Sequence, residues 1–371
     1  MSRFKLFALA AIALVILPAR SFALDRFCDV AFEDCRAPLI QLIDNETERI
    51  DVGFWFMEDG RYSAALARAV QRGVKVRVIF DSEELNGQSD RQFVIDQLIS
   101  FGIPIREKVD PGITHWKIMI FSAQHTVEFS GANFTSEGFV PETPYSAYED
   151  EVIVFTEDPS LLASFKTKYD DVWTNTSMLA NYANVTTIER VYPTTPIDPR
   201  LNFPPFDDFR ARSVQTYAAE NTRIDVVMYR ITDRSHSDAL IENVKRGVPT
   251  RLITEPQQYR DPTRLWHAWN VDRLYIAGQQ NLINGQPGIQ IRHRQHLGLT
   301  HEKLTLMIGQ GMTVFGSSNW TSPSTESQLE HNLFTTDPAF FSWAENSFER
   351  KWNNLGPCPT PGSKTTRNES L

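Results

Sequence analysis

The chain has no apolar run of the roughly 20 residues that a bilayer-spanning helix needs; its longest, Leu6 to Leu17, is about twelve residues. This length argues against an uncleaved membrane anchor. Arg3 and Lys5 precede the run, and Pro18 and Ser21-Phe22-Ala23 follow it, so residues 1–23 are expected to be a secretory signal peptide cleaved near Ala23. A secreted or periplasmic location follows. Positive charge is also in deficit, with 37 Lys and Arg against 46 Asp and Glu, a net charge of −9 that becomes −12 without Arg3, Lys5 and Arg20. Such a chain lacks the basic face of a general nucleic-acid binder, although a local basic groove stays open. Cysteine is scarce as well. Cys28 and Cys35 are close enough for a small disulfide loop and Cys358 stands alone near the end, but spacing does not fix connectivity, and a bridge from Cys358 to either of the others is open.

Several catalytic motifs are missing too. His301-Glu302-Lys303-Leu304-Thr305 begins like a zinc-protease helix but has no second histidine four residues on. There is no P-loop glycine-lysine pattern and no Gly-x-Ser-x-Gly elbow.

What is present is a duplication. Ala37 to Ile43 is predicted to be helical, Glu48 to Phe56 a buried strand, Ser63 to Gln71 a helix closed by Arg72-Gly73, and Val74 to Phe80 the next strand, together a βαβ unit. Arg49-Ile50-Asp51-Val52, Ala65-Leu66 and Arg72-Gly73-Val74 return 174 residues later as Arg223-Ile224-Asp225-Val226, Ala239-Leu240 and Arg246-Gly247-Val248. The second copy then gains 12 residues, mostly at Gln279 to Pro287, which is expected to be a surface loop. Downstream, Glu151, Phe155, Asp158-Pro159 and Trp173 match Glu330, Phe334, Asp337-Pro338 and Trp352 at an offset of 179. A repeat of this length indicates two fused domains: residues 24–175 and 206–356, joined by a proline-rich linker (176–205) and followed by a flexible tail (357–371).

Each copy carries the same polar set, His115, Lys117 and Asn133 in the first and His301, Lys303 and Asn319 in the second, with the histidine and asparagine 18 residues apart in both. His and Lys two apart on a strand share one face, and Trp116 and Glu302 then point to the other, Trp116 into the core. Each Asn follows a Gly/Ser turn able to bind an anion. If the halves meet about a pseudo-twofold axis, two histidines, two lysines and two asparagines make one phosphodiester site.

With these residues in view, the sequence resembles the phospholipase D superfamily, whose signature is His-x-Lys, four residues, Asp, then Gly-Ser-x-Asn. The resemblance covers nearly all of the mature chain. It implies an α/β fold of two tandem lobes related by pseudo-twofold symmetry, each a mixed β-sheet flanked by helices, with the active site at the lobe interface, no metal or other cofactor, and a phosphohistidine intermediate. It implies attack by His115 and acid catalysis by His301. The signature Asp is Ser122 in the first copy and Ile308 in the second; the Gly-Ser pair is intact as Gly316-Ser317 but reads Ser130-Gly131 in the first copy, which predicts asymmetry at Gly131 and Ser317. Glu151 and Glu330 match an acidic position that orients a histidine in similar proteins; the alternative is a solvated charge at a strand start. Asp150 is expected at the surface. Asn133 and Asn319 lie in Asn-x-Thr sequons but are expected to be unmodified, because glycans there would block the pocket; Asn45 and Asn184 are surface candidates.

The expected substrate is a glycerophospholipid at a membrane surface, cleaved to phosphatidic acid and free head group, with no stable protein partner implied. An exported nuclease is the alternative, motivated by Arg292, His293, Arg294 and His296 near the second motif. A phosphatidyltransferase and a catalytically silent binding protein are further alternatives. Tyr259, Trp266, Trp269 and Tyr275 are compatible with a lipid or choline-like group, but their spacing predicts a buried helix face.

Overall fold

A computed structural model describes residues 25–354 and 356–357. The predicted signal peptide, Cys358 and nearly all of the predicted tail lie outside the described residues. In the first lobe the order is β1 (Arg26–Asp29), α1 (Arg36–Asn45), β2 (Arg49–Phe54), α2 (Gly60–Gln71), β3 (Lys75–Phe80), a 3-10 turn (Ser82–Leu85), α3 (Ser89–Ser100), β4 (Ile105–Lys108), β5 (Lys117–Phe121), β6 (Thr126–Ser130), β7 (Ala147–Asp150), β8 (Val152–Thr156), α4 (Pro159–Trp173) and β9 (Leu179–Ala183). The second lobe runs β10 (Leu201–Asn202), α5 (Phe209–Ala219), β11 (Ile224–Met228), α6 (Arg234–Lys245), β12 (Thr250–Thr254), α7 (Pro256–Arg260), α8 (Leu265–Gln280), β13 (Leu282–Ile283), β14 (Gln286–Pro287) and β15 (Ile289–His293). It continues through β16 (Leu297–Thr300), β17 (Lys303–Met307), β18 (Met312–Gly316), α9 (Ser322–Glu326), β19 (Asn332–Thr335), α10 (Pro338–Asn353) and β20 (Gly356–Pro357).

Each lobe is built on a mixed sheet. The first has the order β1-β8-β6-β5-β2-β3-β4-β9 and the second β10-β19-β18-β17-β11-β12-β15-β20. The βαβ units make β2, β3 and β4 parallel, as are β11, β12 and β15, whereas β5 and β17 return antiparallel against β2 and β11. These strands read as apolar runs because both faces are covered. Val78 and Phe80 enter an outer core with helices α1 to α3, while Ile79 between them enters a central core. That central core is shared by the lobes: Phe165 and Tyr169 of α4 and Phe340 and Phe348 of α10 pack between Phe129 of one sheet and Leu304 and Phe315 of the other. Both helices start the same way, with Asp158 or Asp337 accepting backbone N–H bonds and proline in the first turn.

Two sequence expectations change here, and one open alternative is decided. The stretch 176–205 is more than a wrap between lobes, since β9 pairs antiparallel with β4 at the edge of the first sheet and β10 pairs with β19 in the second. Its prolines at 193, 196 and 199 fall between the two strands, where no ladder bond is lost. Gln279 to Pro287 contains the hairpin β13–β14, turned by Asn284 and Gly285 at φ 51° and 76°, an Asn-Gly pair in the left-handed conformation that such tight turns require. Of the open disulfide alternatives, Cys28 and Cys35 are bonded. Among the described residues no helix is long and apolar enough to cross a membrane.

Candidate active site

Antiparallel pairing brings the start of β5 to the end of β2, with Lys117 opposite Phe54, and the start of β17 to the end of β11, with Lys303 opposite Met228. The polar set therefore stands at the carboxyl edge of the parallel strands. The strands begin at the lysines rather than the histidines, because each histidine backbone has left its own sheet for the opposite lobe: His115 N–H donates to Leu329 O at 2.9 Å, and His301 N–H to Asp150 O at 3.2 Å. A short parallel pair, β7 with β16, reinforces this crossing.

The side chains cross as well. His115 Nδ1–H donates to Glu330 Oε2 at 2.8 Å, and His301 Nδ1–H donates to Glu151 Oε1. Each histidine thus takes its carboxylate from the other lobe through Nδ1, which rules out the solvated-charge alternative for Glu151 and Glu330, both fully buried. Lys117 donates to His115 O at 2.9 Å; Lys303 donates to His301 O and reaches Glu151 Oε1 at 3.4 Å. The halves form one electrostatic unit. Burial holds His115 well below its ordinary pKa, helped by Lys117, Lys303 and His301. Burial and Lys303 lower His301 to about 4 against the opposing pull of Glu151. Both lysines are also lowered, first by burial. Asn133 and Asn319 are buried, and the Oδ1 atom of each has no hydrogen-bond partner among the described residues.

The two His–Glu pairs differ. Ser317 Oγ donates to Glu330 Oε2 at 2.5 Å, whereas Gly131 offers no hydroxyl, and a Cβ there would lie 2.8 Å from Glu151 Oε2. Burial lifts Glu330 to about 7 although Lys117 opposes it. Burial would raise Glu151 too, but Lys303 and His301 outweigh it and hold Glu151 below the usual carboxylate range.

Four supporting residues escape notice in the sequence although the 174-residue offset marks them. Trp55 and Tyr229 wall the site, with ring centroids 5.3 and 4.7 Å from His115 and His301, and each ring lies near the lysine of its own lobe. Asp81 and Glu255 accept the N–H of Thr114 (3.0 Å) and Thr300 (2.7 Å), fixing the residue before each histidine.

Other expectations divide. Trp116 is core as expected, and its Nε1–H also holds Glu330 O at 3.0 Å; Gly53 leaves room for the ring, since a Cβ there would meet it at 2.8 Å. Asp150 is not at the surface: it is buried and paired with Lys351 of α10 at 2.8 Å. Ser122, at the signature Asp position, hydrogen-bonds Tyr192, and Ile308 packs against the central core. The basic cluster does not line a groove, because Arg294 pairs with buried Glu255, Arg292 donates to Trp352 O, His293 is buried against Thr254 O, and His296 stacks on Tyr148. The predicted aromatic face is broken, since Tyr259 is buried on α7 while Trp266 and Trp269 are exposed and α8 buries His267, Ala268, Asn270 and Val271 instead. Asn184 is exposed, but its amide is engaged by Ile99 O and Ile103 O. Among the described residues no group of three or more His, Cys, Asp or Glu is arranged to hold a metal ion.

Two duplicated α/β lobes that complete each other's His–Glu pairs around two lysines define a class of proteins with a composite centre at the lobe interface. The chain belongs to the phospholipase D superfamily: the family model described as "Cardiolipin synthase, PLD-like domain" matches residues 39–173 and again 216–352. It is 24% identical over 158 residues to a mitochondrial cardiolipin hydrolase from Canis lupus familiaris, covering 43% of this chain and 56% of that one. It is 31% identical over 102 residues to a phospholipase D from Rickettsia prowazekii, covering 27% of this chain and 47% of that one. The chain thus spans about half the length of these curated relatives. In fold it is similar to the crystal structure of phosphatidylserine synthase from Haemophilus influenzae, with a TM-score of 0.70 and 13% identity over 90% of this chain and 87% of that one.

Proposed function

We propose that the protein is an exported phosphodiesterase of phospholipase D type, which hydrolyses a glycerophospholipid to phosphatidic acid and free head group through a phosphohistidine. The observation behind this is the reciprocal pairing of His115 with Glu330 and His301 with Glu151 in one buried centre with Lys117 and Lys303. Lys117, Lys303 and the two asparagine amides balance and hold the phosphate oxygens. His115 Nε2 attacks phosphorus and displaces the head-group oxygen, which takes a proton from His301 Nε2. Water then gives a proton to His301 and attacks phosphorus, breaking the P–N bond and releasing phosphatidate. The asymmetry of the carboxylates supports this division: a nucleophile must be neutral, which suits the proton-holding Glu330, while an ionised Glu151 favours a protonated His301.

The direct test is a parallel assay of the mature protein in EDTA on phosphatidylcholine vesicles and on single- and double-stranded DNA. Choline release that survives chelation is expected. DNA cleavage with intact lipid would instead make the protein a nuclease, and inactivity on both substrates would make it a binding protein.

The pH profile carries the second expectation. Hydrolysis needs His301 protonated, and that form is lost as pH rises through a pKa of about 4, whereas His115 must be unprotonated and stays so far below pH 6.5. The optimum of kcat/KM should therefore be acidic, with the rate declining toward neutrality. Glu151 raises the His301 pKa, so Glu151→Gln should move the alkaline limb to lower pH; an unmoved limb would separate Glu151 from the acid.

A further inference from the structure

Among the exposed large apolar side chains, one in the first lobe and three in the second occupy matching topological positions. Phe93 is 61% exposed on α3; Leu265, Trp266 and Trp269 are 63%, 66% and 39% exposed at the head of α8. Helices α3 and α8 are counterparts: each enters after β3 or β12, the parallel neighbour of the central strand, from the carboxyl edge of the sheet on which His115 and His301 stand. Ligands of open α/β sheets bind beyond this edge.

Contacts tie the head of α8 to the site. Ile231 N–H donates to His267 Nδ1 at 3.0 Å, and Asn270 Nδ2 donates to Trp266 O at 2.9 Å. Ile231 is two residues from Tyr229, whose ring lies against His301. In the first lobe Phe93 lies beside Gly60, within van der Waals reach of a Cβ built there, and Arg91 of the same helix covers the ring of Phe56 at 3.7 Å, next to Trp55 at the His115 wall. Aromatic contacts order the tip of α8. Trp266 and Trp269 meet edge to face at 5.5 Å and 86°, and Arg273 sits 4.5 Å from the Trp269 ring centre. Around it, the Arg264 and Arg234 side chains remain 43% and 68% exposed although Asp261 and Asp238 neighbour them. An indole with an apolar body and a polar N–H, flanked by exposed guanidiniums, matches the boundary between acyl chains and phosphate head groups.

We infer that Phe93 on one side and Leu265, Trp266 and Trp269 on the other are paired prongs that enter the surface of a phospholipid bilayer and seat the mouth of the active site on it. This rests on the proposed lipid phosphodiester substrate and adds how that substrate is reached. The occupant is a bilayer because the exposed guanidiniums of Arg264 and Arg234 beside the indoles complement its phosphate head groups, and the proposed phosphodiester is anchored in one.

The test uses His115→Asn protein, which binds without turnover, sedimented with vesicles of equal phosphatidylcholine and phosphatidylglycerol. The parent is expected to pellet with the vesicles, and adding Leu265→Ser with Trp266→Ser should weaken binding about tenfold or more, the scale set by withdrawing two large apolar side chains from lipid. In the active protein the same double substitution should lower vesicle hydrolysis similarly and leave hydrolysis of soluble bis(para-nitrophenyl) phosphate unchanged, which also shows that it folds. A parent that does not pellet, or a double variant that binds as the parent does, overturns the inference. Failure of the lipid activity reads differently: wild-type protein would release no head group, while Trp266-dependent vesicle binding would still uphold the prongs.

Discussion

Replacing His115 with alanine is expected to lower head-group release by about three to five powers of ten, because residues that act as one catalytic unit fail together. The loss has two parts. The proposed nucleophile disappears, and Glu330 loses its hydrogen-bond partner across the interface. The fold should persist, since Glu330 already sits near 7 and can keep a proton when the imidazole is gone. Far-ultraviolet circular dichroism and an unchanged unfolding midpoint would establish that point, and kcat on vesicles then reads chemistry alone. The companion experiment uses His301→Ala, which removes the proposed acid but leaves the nucleophile. Denaturation at alkaline pH during turnover of a substrate with a good leaving group should trap phosphorus on His115, because the P–N bond of a phosphohistidine is lost in acid. An adduct on the other histidine, in wild-type protein, would reverse the two roles.

The second large effect is expected far from phosphorus. Lys351 reaches from α10 into the wall behind the site, where it is buried between Asp150 (2.8 Å) and Glu302. Burial alone would lower its pKa, but the two carboxylates outweigh this and raise it. Lys351→Met removes the cation and strands two buried acids, which should cost about 3–5 kcal/mol of stability, the range for breaking one side of a buried ion pair. Denaturant titration of wild type and variant measures it; a shift under about 1 kcal/mol would contradict a buried Lys351–Asp150 ion pair. Activity should fall too, because Asp150 precedes Glu151 and Glu302 separates His301 from Lys303. Adding Glu302→Gln to Lys351→Met should recover part of the stability, as residues that share one interaction are not additive.

Much of this organisation is visible in the sequence because duplication wrote it twice. The constant offset from Arg49 to Arg223 and from Val74 to Val248 exposes both βαβ units, and the paired His and Lys positions meet where the two lobes adjoin. What stays hidden are relations between distant residues. No periodicity could say that Glu151 serves His301, 150 residues away, and Glu330 serves His115, 215 away, because each carboxylate lies in the same copy as the other histidine. Asp150 looks solvated for the same reason, its neutralising lysine being about 200 residues downstream on α10. At the head of α8, aromatic residues at helical spacing suggest burial, but His267, Ala268 and Asn270 take the inner face and leave the two indoles outside.

The exchange of glutamates between lobes has a consequence for how such a molecule can change over generations. Two identical copies meeting about a true twofold axis would be compelled to carry identical His–Glu pairs, so any substitution improving one histidine as a nucleophile would impair its twin as an acid. Carrying both copies on one chain removes that constraint. Ser317 behind Glu330 keeps the hydroxyl and Gly131 behind Glu151 lacks it, so this one paired position differs between the lobes, while each lobe depends on the other for the carboxylate that faces its histidine.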